Sequence, residues 1–224
     1  MQGVTPPKRA RKRTMFRSRI RSAMADQSGV AAVEFALGLP VLIALMMCGA
    51  EAANMAYTSQ QLGDIATMSA DSVGRVKESI NNGTVTDILS AMKTLSDKID
   101  LRNRGRIIVS SIEPVTDNSG TLTNQRLRWQ RCSGALVKSS AYATTAGTLL
   151  GADGIVVSSS RKIAASKDNE MIFVEVYYTY RPLISSSFLG TPQMSAIAAM
   201  SVRERSNNDI GAGGTNSACT AYSA

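Results

Sequence analysis

Hydrophobic and polar positions divide the chain into stretches of different period. From Val30 to Ala50 the residues are apolar with a single charge, Glu34. At about 1.5 Å per residue such a run matches a hydrocarbon core of roughly 30 Å and predicts one membrane-spanning helix. Beyond it, Leu62, Ile65, Ser69, Val73, Val76 and Ile80 recur at three- and four-residue intervals, so the helix is expected to run on to about Ile80, with Gly63 and Gly74 as points of interruption. Asn81-Asn82-Gly83 reads as a turn, and Thr84-Val85-Thr86-Asp87 as a capping box opening a second helix whose apolar face is Ile88, Met92, Leu95 and Ile99. Asn103-Arg104-Gly105 closes that helix.

The period then changes to two. Residues 106–115, 121–131, 170–183 and 193–205 have strand length and β-branched or aromatic enrichment. Asp117-Asn118-Ser119-Gly120 makes the first two a hairpin, and Ile172, Val174, Val176, Tyr178 and Tyr180 share one face of the third. The fold class is therefore α+β: a long N-terminal helix entering a domain with a second helix and a four-stranded, mainly antiparallel sheet. Residues 133–169, rich in Ser, Thr, Ala and Gly, read as a long surface insertion in which Asp153-Gly154 is a turn and Ile155-Val156-Val157 pairs locally. Such a loop is where adaptation to a partner is expected. Residues 206–224, with Gly211-Ala212-Gly213-Gly214, read as a flexible tail. The resulting division is a leader at 1–29, a span at 30–50, a domain at 51–205 containing the insertion, and the tail.

Charge sharpens this picture. The chain carries a net +8, which would ordinarily raise nucleic-acid binding. Residues 1–29, however, hold Lys8, Arg9, Arg11, Lys12, Arg13, Arg17, Arg19 and Arg21 against Asp26 alone, so almost all of the excess is in the leader. A basic arm before an apolar helix follows the positive-inside rule and places the leader in the cytoplasm against anionic headgroups, with the domain across the membrane. The arm offers Phe16 and a Pro6-Pro7 turn but no folded basic face, and nucleic acid is not expected as a partner. Within the span, Pro40 removes a backbone donor, Gly38 and Gly49 leave room for a neighbouring helix, and Cys48 reads as an apolar filler rather than a reactive thiol.

A carboxylate near the start of a lipid-compatible helix is costly unless paired, so Glu34 is the leading candidate for a functional residue. Gly29 stands just before Val30-Ala31-Ala32-Val33, and Glu34 is the fifth residue after it. This arrangement resembles the processing site of type IV pilin-like proteins. With Gly29-Val30-Ala31-Ala32-Val33-Glu34-Phe35-Ala36-Leu37, Leu39-Pro40 and Tyr177-Tyr178-Thr179-Tyr180-Arg181-Pro182-Leu183, the chain resembles the TadE/TadG group, minor pilins of tight-adherence (Flp) pilus systems. The resemblance implies a pilin-like fold and cleavage by a prepilin peptidase between Gly29 and Val30. It also implies a role for Glu34 in subunit assembly, with other pilins and the pilus assembly platform as partners. It places the protein in the bacterial inner membrane as a single pass with a periplasmic domain, and allows its incorporation in the pilus. Phe35 follows Glu34 where major Flp pilins have tyrosine, and the domain is far larger than theirs; both departures point to an accessory subunit.

Three cysteines put Cys48 in the span and leave Cys132 and Cys219 in an oxidising space. A Cys132–Cys219 bond is expected. It would close a long loop, contributing about 4 kcal/mol by restricting the unfolded chain, and would tether the tail. Two free thiols or an intermolecular bridge remain the alternatives.

Catalysis is not expected. The chain has no histidine, which removes His-dependent triads, His-ligated zinc and imidazole acid–base chemistry. It has no Walker lysine motif, no paired-cysteine metal site and no Ser-Lys pair at a recognisable spacing. Asp117-Asn118 and Asp153 offer oxygen ligands but read as ordinary turns. No catalytic residue, metal or cofactor is assigned. Two other readings stay open. A secretory signal peptide cut at Ala50-Glu51-Ala52 would release a secreted binding protein or, if retained, a tethered adhesin using the 133–169 insertion. An uncleaved bitopic scaffold would use its basic arm to recruit a cytoplasmic partner.

Overall fold

The structure is a computed structural model that describes residues 28–184, 190–203 and 205–222. The chain divides into two compact units, Met1–Ala50 and Glu51–Ala224. The basic residues of the leader lie outside the described residues. Helix α1 spans Ser28–Gly74, and its part in the first unit is exposed throughout except for half-buried Gly38, with Pro40 inside the helix.

In the second unit α1 buries Leu62, Ile65, Ala66, Ser69, Ala70 and Val73, the stripe that periodicity indicates. It ends at Gly74, short of Ile80. Arg205 accounts for the ending: its Nε donates to the Val76 carbonyl at 3.1 Å and Nη2 to Val73 at 2.5 Å, so a cation closes the helix where its carbonyls lack partners. The chain then forms strand β1, Glu78–Asn81. Gly63 does not interrupt α1.

Asn81 is the N-cap of α2, Asn82–Leu95, its side-chain oxygen accepting from Thr84 N at 2.8 Å. The expected capping box at Thr84 is thus already inside the helix. The buried face is Asn82, Val85, Leu89 and Met92, and Leu95 is 61 % exposed. A short 3₁₀ turn at Asp97–Ile99 and helix α3, Leu101–Arg104, follow where one continuous helix was expected.

The main sheet has four antiparallel strands in the order β3-β2-β6-β7: β2 Gly105–Thr116, β3 Leu122–Ser133, β6 Met171–Thr179 and β7 Gln193–Ser201. One face, with Ile107, Val109, Trp129, Ile172, Val174, Val176 and Tyr178, packs on α1 and α2. Tyr180 joins this cluster, so the alternation read in the sequence holds.

The other face is covered as well, by part of the 133–169 insertion, most of whose residues are exposed or half-buried. Tyr142, Ala143, Leu150, Val157 and Ile163 pack over Ile112, Leu127, Met171 and Phe173, and Ile155 and Ala165 are buried with them. Tyr142 meets Phe173 edge-on at 5.3 Å between ring centroids. The insertion contains a small hairpin, β4 Ile155–Ser158 with β5 Arg161–Ile163. Polar anchors fix it: buried Glu175 accepts from Ser140 Oγ at 2.5 Å, Ala141 N at 3.0 Å and the Tyr177 hydroxyl at 2.6 Å. Gln125, fully buried in β3, accepts from Ala165 N at 2.8 Å.

Opposite Ser111 and Ile112, β3 carries one extra residue, Arg128. This bulge sends Trp129 and Leu127 to opposite clusters although they are two positions apart. It also aims Arg128 at three carboxylates, Glu113, Glu170 and Asp209.

Residues 206–222 are not the flexible tail that composition suggested. Strand β8, Arg205–Gly211, pairs in parallel with β1, Gly83 N donates to the Gly213 carbonyl at 2.7 Å, and Thr86 Oγ1 donates to the Thr215 carbonyl at 2.8 Å. Cys132 and Cys219 form the expected disulfide, with Cα atoms 4.7 Å apart.

Candidate functional site

The sequence candidates at the start of α1 stand on an unusual surface. An 18-residue window of this helix has a mean hydropathy of 2.3 and none of it is buried. Val30, Val33, Phe35, Leu37, Leu45 and Met46 are each more than half exposed. A soluble chain does not present such a stripe to water, because at about 25 cal/mol per Å² the unburied apolar area is a large lost stabilisation. One helix long and apolar enough to cross a bilayer is thus present among the described residues, compatible with a single-pass membrane protein.

Glu34 is exposed on that stripe, with no hydrogen bond or ion pair to another described residue. Gly29 and Val30 lie one helical turn before it. A Cβ added at Gly29 would meet nothing within 4 Å, so packing in this fold does not require glycine there. Cys48 is free and exposed on the same helix rather than buried.

The second unit contains a site that sequence reasoning missed. Glu51, its first residue, is 2 % exposed. It accepts from the Tyr180 hydroxyl at 2.6 Å, Leu183 N at 2.9 Å and Ile184 N at 3.2 Å. Asn54 Nδ2, one turn along α1, donates to the same Tyr180 oxygen at 2.6 Å. Burial first, and then the hydrogen bond to Glu51, raises the Tyr180 hydroxyl above its ordinary pKa and keeps it a donor. Two backbone N–H groups and one hydroxyl are therefore gathered on a single carboxylate, the arrangement by which a buried carboxylate is stabilised without a cation. It ties the segment after β6 to the start of the domain helix. Glu51 was legible only as a charge ending an apolar run, and Tyr180 to Leu183 only as part of a resemblance. Nothing local says that residues 129 apart in sequence meet.

The disulfide lies at a separate place, beside a buried arginine. Arg106 is fully buried and donates to the carbonyls of Gly134 and Ala221 at 2.8 Å each and of Cys219 at 2.7 Å, with the Tyr222 ring 4.2 Å from its guanidinium. Burial lowers its pKa, against a raising influence of Tyr222. The residues around Cys219 thus serve as acceptors for a cation in the sheet. Gly29, Val30 and Glu34 belong to the first unit, and Glu51 and the Cys132–Cys219 bond to the second, where they are separate places.

Residues 29–71 match the family described as TadE-like protein. No curated protein and no solved structure matches the chain. The matched stretch takes in Gly29, Val30 and Glu34, and also Glu51 and Asn54, while the sheet and the disulfide lie outside it. Through the segment at 29–71 the chain is similar to TadE-like proteins, a likeness to the Tad pilus systems in general terms.

Proposed function

We propose that this protein is a minor pilin or pseudopilin-like component needed to assemble a tight-adherence (Flp, type IVb) pilus, held in the bacterial inner membrane by residues 30–50 with its α+β domain in the periplasm. The observation that carries the proposal is the exposed apolar stretch of α1 at 30–50, inside the TadE-like match, with Glu34 as the single charge of that stretch. A prepilin peptidase cuts between Gly29 and Val30, which removes the basic leader and creates an ammonium at Val30. Glu34 then pairs with that ammonium on a neighbouring subunit. A carboxylate within a bilayer costs about 3 kcal/mol even by mild scales, and a well-made ion pair costs much less, so cleavage converts a membrane penalty into a preference for a partner. The protein is not an enzyme in this account; its partners are the peptidase, other pilins and the assembly platform.

The absence of a steric demand for glycine at position 29 supports a recognition role for it. The Glu51 arrangement weighs against a signal-peptide cut at Ala50-Glu51-Ala52. That cut would remove the carboxylate that three donors share and would fall within α1.

Two variants test the proposal in cells. Glu34→Leu is expected to leave the protein inserted and processed but to abolish piliation, and Gly29→Val to block processing while sparing insertion. Normal piliation with Glu34→Leu would refute the pairing mechanism.

A further inference from the structure

A cavity of about 360 Å³ opens in the second unit beside the Glu51 arrangement. Lys98, Arg104 and Arg181 line it, against one carboxylate, Asp100, with Asn54 and Thr58 as neutral polar neighbours. Arg104 is held in place by donating from Nε to the Thr179 carbonyl at 3.1 Å and from Nη2 to the Tyr180 carbonyl at 3.3 Å. Lys98 and Arg181 are exposed, and among the described residues no carboxylate lies within ion-pair distance of either. Asp100 is engaged by Asn103 Nδ2 at 2.6 Å. The contrast with a second charged cavity is informative. There Arg126 and Arg128 meet Glu113, and Arg128 also meets Glu170 and Asp209, so positive charge is already neutralised. Around Lys98 it is not.

We propose that this cavity binds a phosphate oxyanion, and that its source is the headgroup of an anionic phospholipid. The volume lies in the range of small-ligand sites, and two unpaired cations with a fixed guanidinium supply the charge-assisted donors that a phosphate takes. The choice of a lipid rests on the reading of residues 30–50 as a membrane span. Asn54 follows Ala50 by four residues, so even a fully extended chain keeps it within about 14 Å of the end of the span. The headgroup layer on each side of a bilayer is roughly 5–8 Å deep. A cavity so tethered is within reach of that layer and of the phosphate groups that phospholipid headgroups carry there.

The test compares the full-length protein with its Lys98→Ala/Arg181→Ala variant, both purified in detergent. Neither side chain packs in the core, and equal thermal midpoints will verify that the fold is kept. Phosphatidylglycerol and phosphatidylcholine with identical acyl chains are added, and bound lipid is counted by native mass spectrometry. The proposal expects wild type to retain phosphatidylglycerol over phosphatidylcholine, and the variant to lose about tenfold of that preference. In a second arm without lipid, glycerol phosphate is added; binding by wild type alone at least as tight as that of the lipid supports the oxyanion site but assigns it to a free anion. Equal phosphatidylglycerol retention by both proteins, as the basic leader alone would give, with no binding of glycerol phosphate, overturns the site. Carbonate extraction of membranes tests the span separately, so its failure is distinguishable from failure of the cavity.

Discussion

Glu34 and Glu51 lie on one helix in opposite circumstances, one exposed with no described partner and the other buried with three donors. The chemistry of a carboxylate explains both: it must be solvated, paired or surrounded by N–H and O–H groups. Removing the charge at Glu51 while keeping its shape turns one accepting oxygen into a donor facing donors. Glu51→Gln is expected to cost about 1–3 kcal/mol, and for a domain of this size each kcal/mol lowers Tm by about 2–4 °C. Tryptophan fluorescence from buried Trp129 would follow the melting, and an unchanged midpoint would count against the arrangement. Asp117 offers a pH-linked check. Its carboxylate accepts from Ser119 Oγ at 2.6 Å and from Ser119 N and Thr121 N at 2.9 Å each, contacts that lower its pKa below 3.8. Because the folded value is depressed, the contribution is present above the unfolded value and is lost as pH falls through the folded one. NMR titration should find the Asp117 carboxyl titrating below 3.8 in wild type, and the β2–β3 turn loosening with it.

At the scale of elements, the readable parts are those whose signal is local. The alternation of Ile172, Val174, Val176 and Tyr178 is visible along one strand, and all four lie in the core that packs on the helices. The cysteine count, with an oxidising compartment expected, pointed to Cys132–Cys219, the bond the structure contains. The start of α2 was misread because Asn81, taken as a turn residue, is an equally good N-cap. That the insertion also covers one face of the sheet was not legible for another reason. Its few apolar residues are diluted among Ser, Thr, Ala and Gly, and they find one another only when laid across Phe173 and Leu127. A solvent-facing Phe173 would be cheap to truncate; buried as it is at 1 % exposure, Phe173→Ala should cost about 3–5 kcal/mol. Urea unfolding would show this as a lower midpoint at similar slope. Cys219→Ser should cost about 2–4 kcal/mol. It should also abolish the change in gel mobility on reduction that is expected of wild type, and leave Arg106 with acceptors that are no longer fixed near it.

For the whole molecule, the length of the apolar run was enough to indicate a helix able to span a membrane, and the change of hydrophobic period an α+β domain after it. The knot of Glu51, Asn54 and Tyr180 was not legible, because its partners come together only after the sheet has formed. How the N-terminus is treated in the cell decides between a pilin-like subunit, a secreted domain and a bitopic scaffold. The most direct measurement is the N-terminal sequence and intact mass of the protein recovered from membranes of cells with and without the prepilin peptidase. A chain beginning at Val30 only when the peptidase is present is the predicted result. An intact leader in both, or a chain beginning at Ala53, would contradict it.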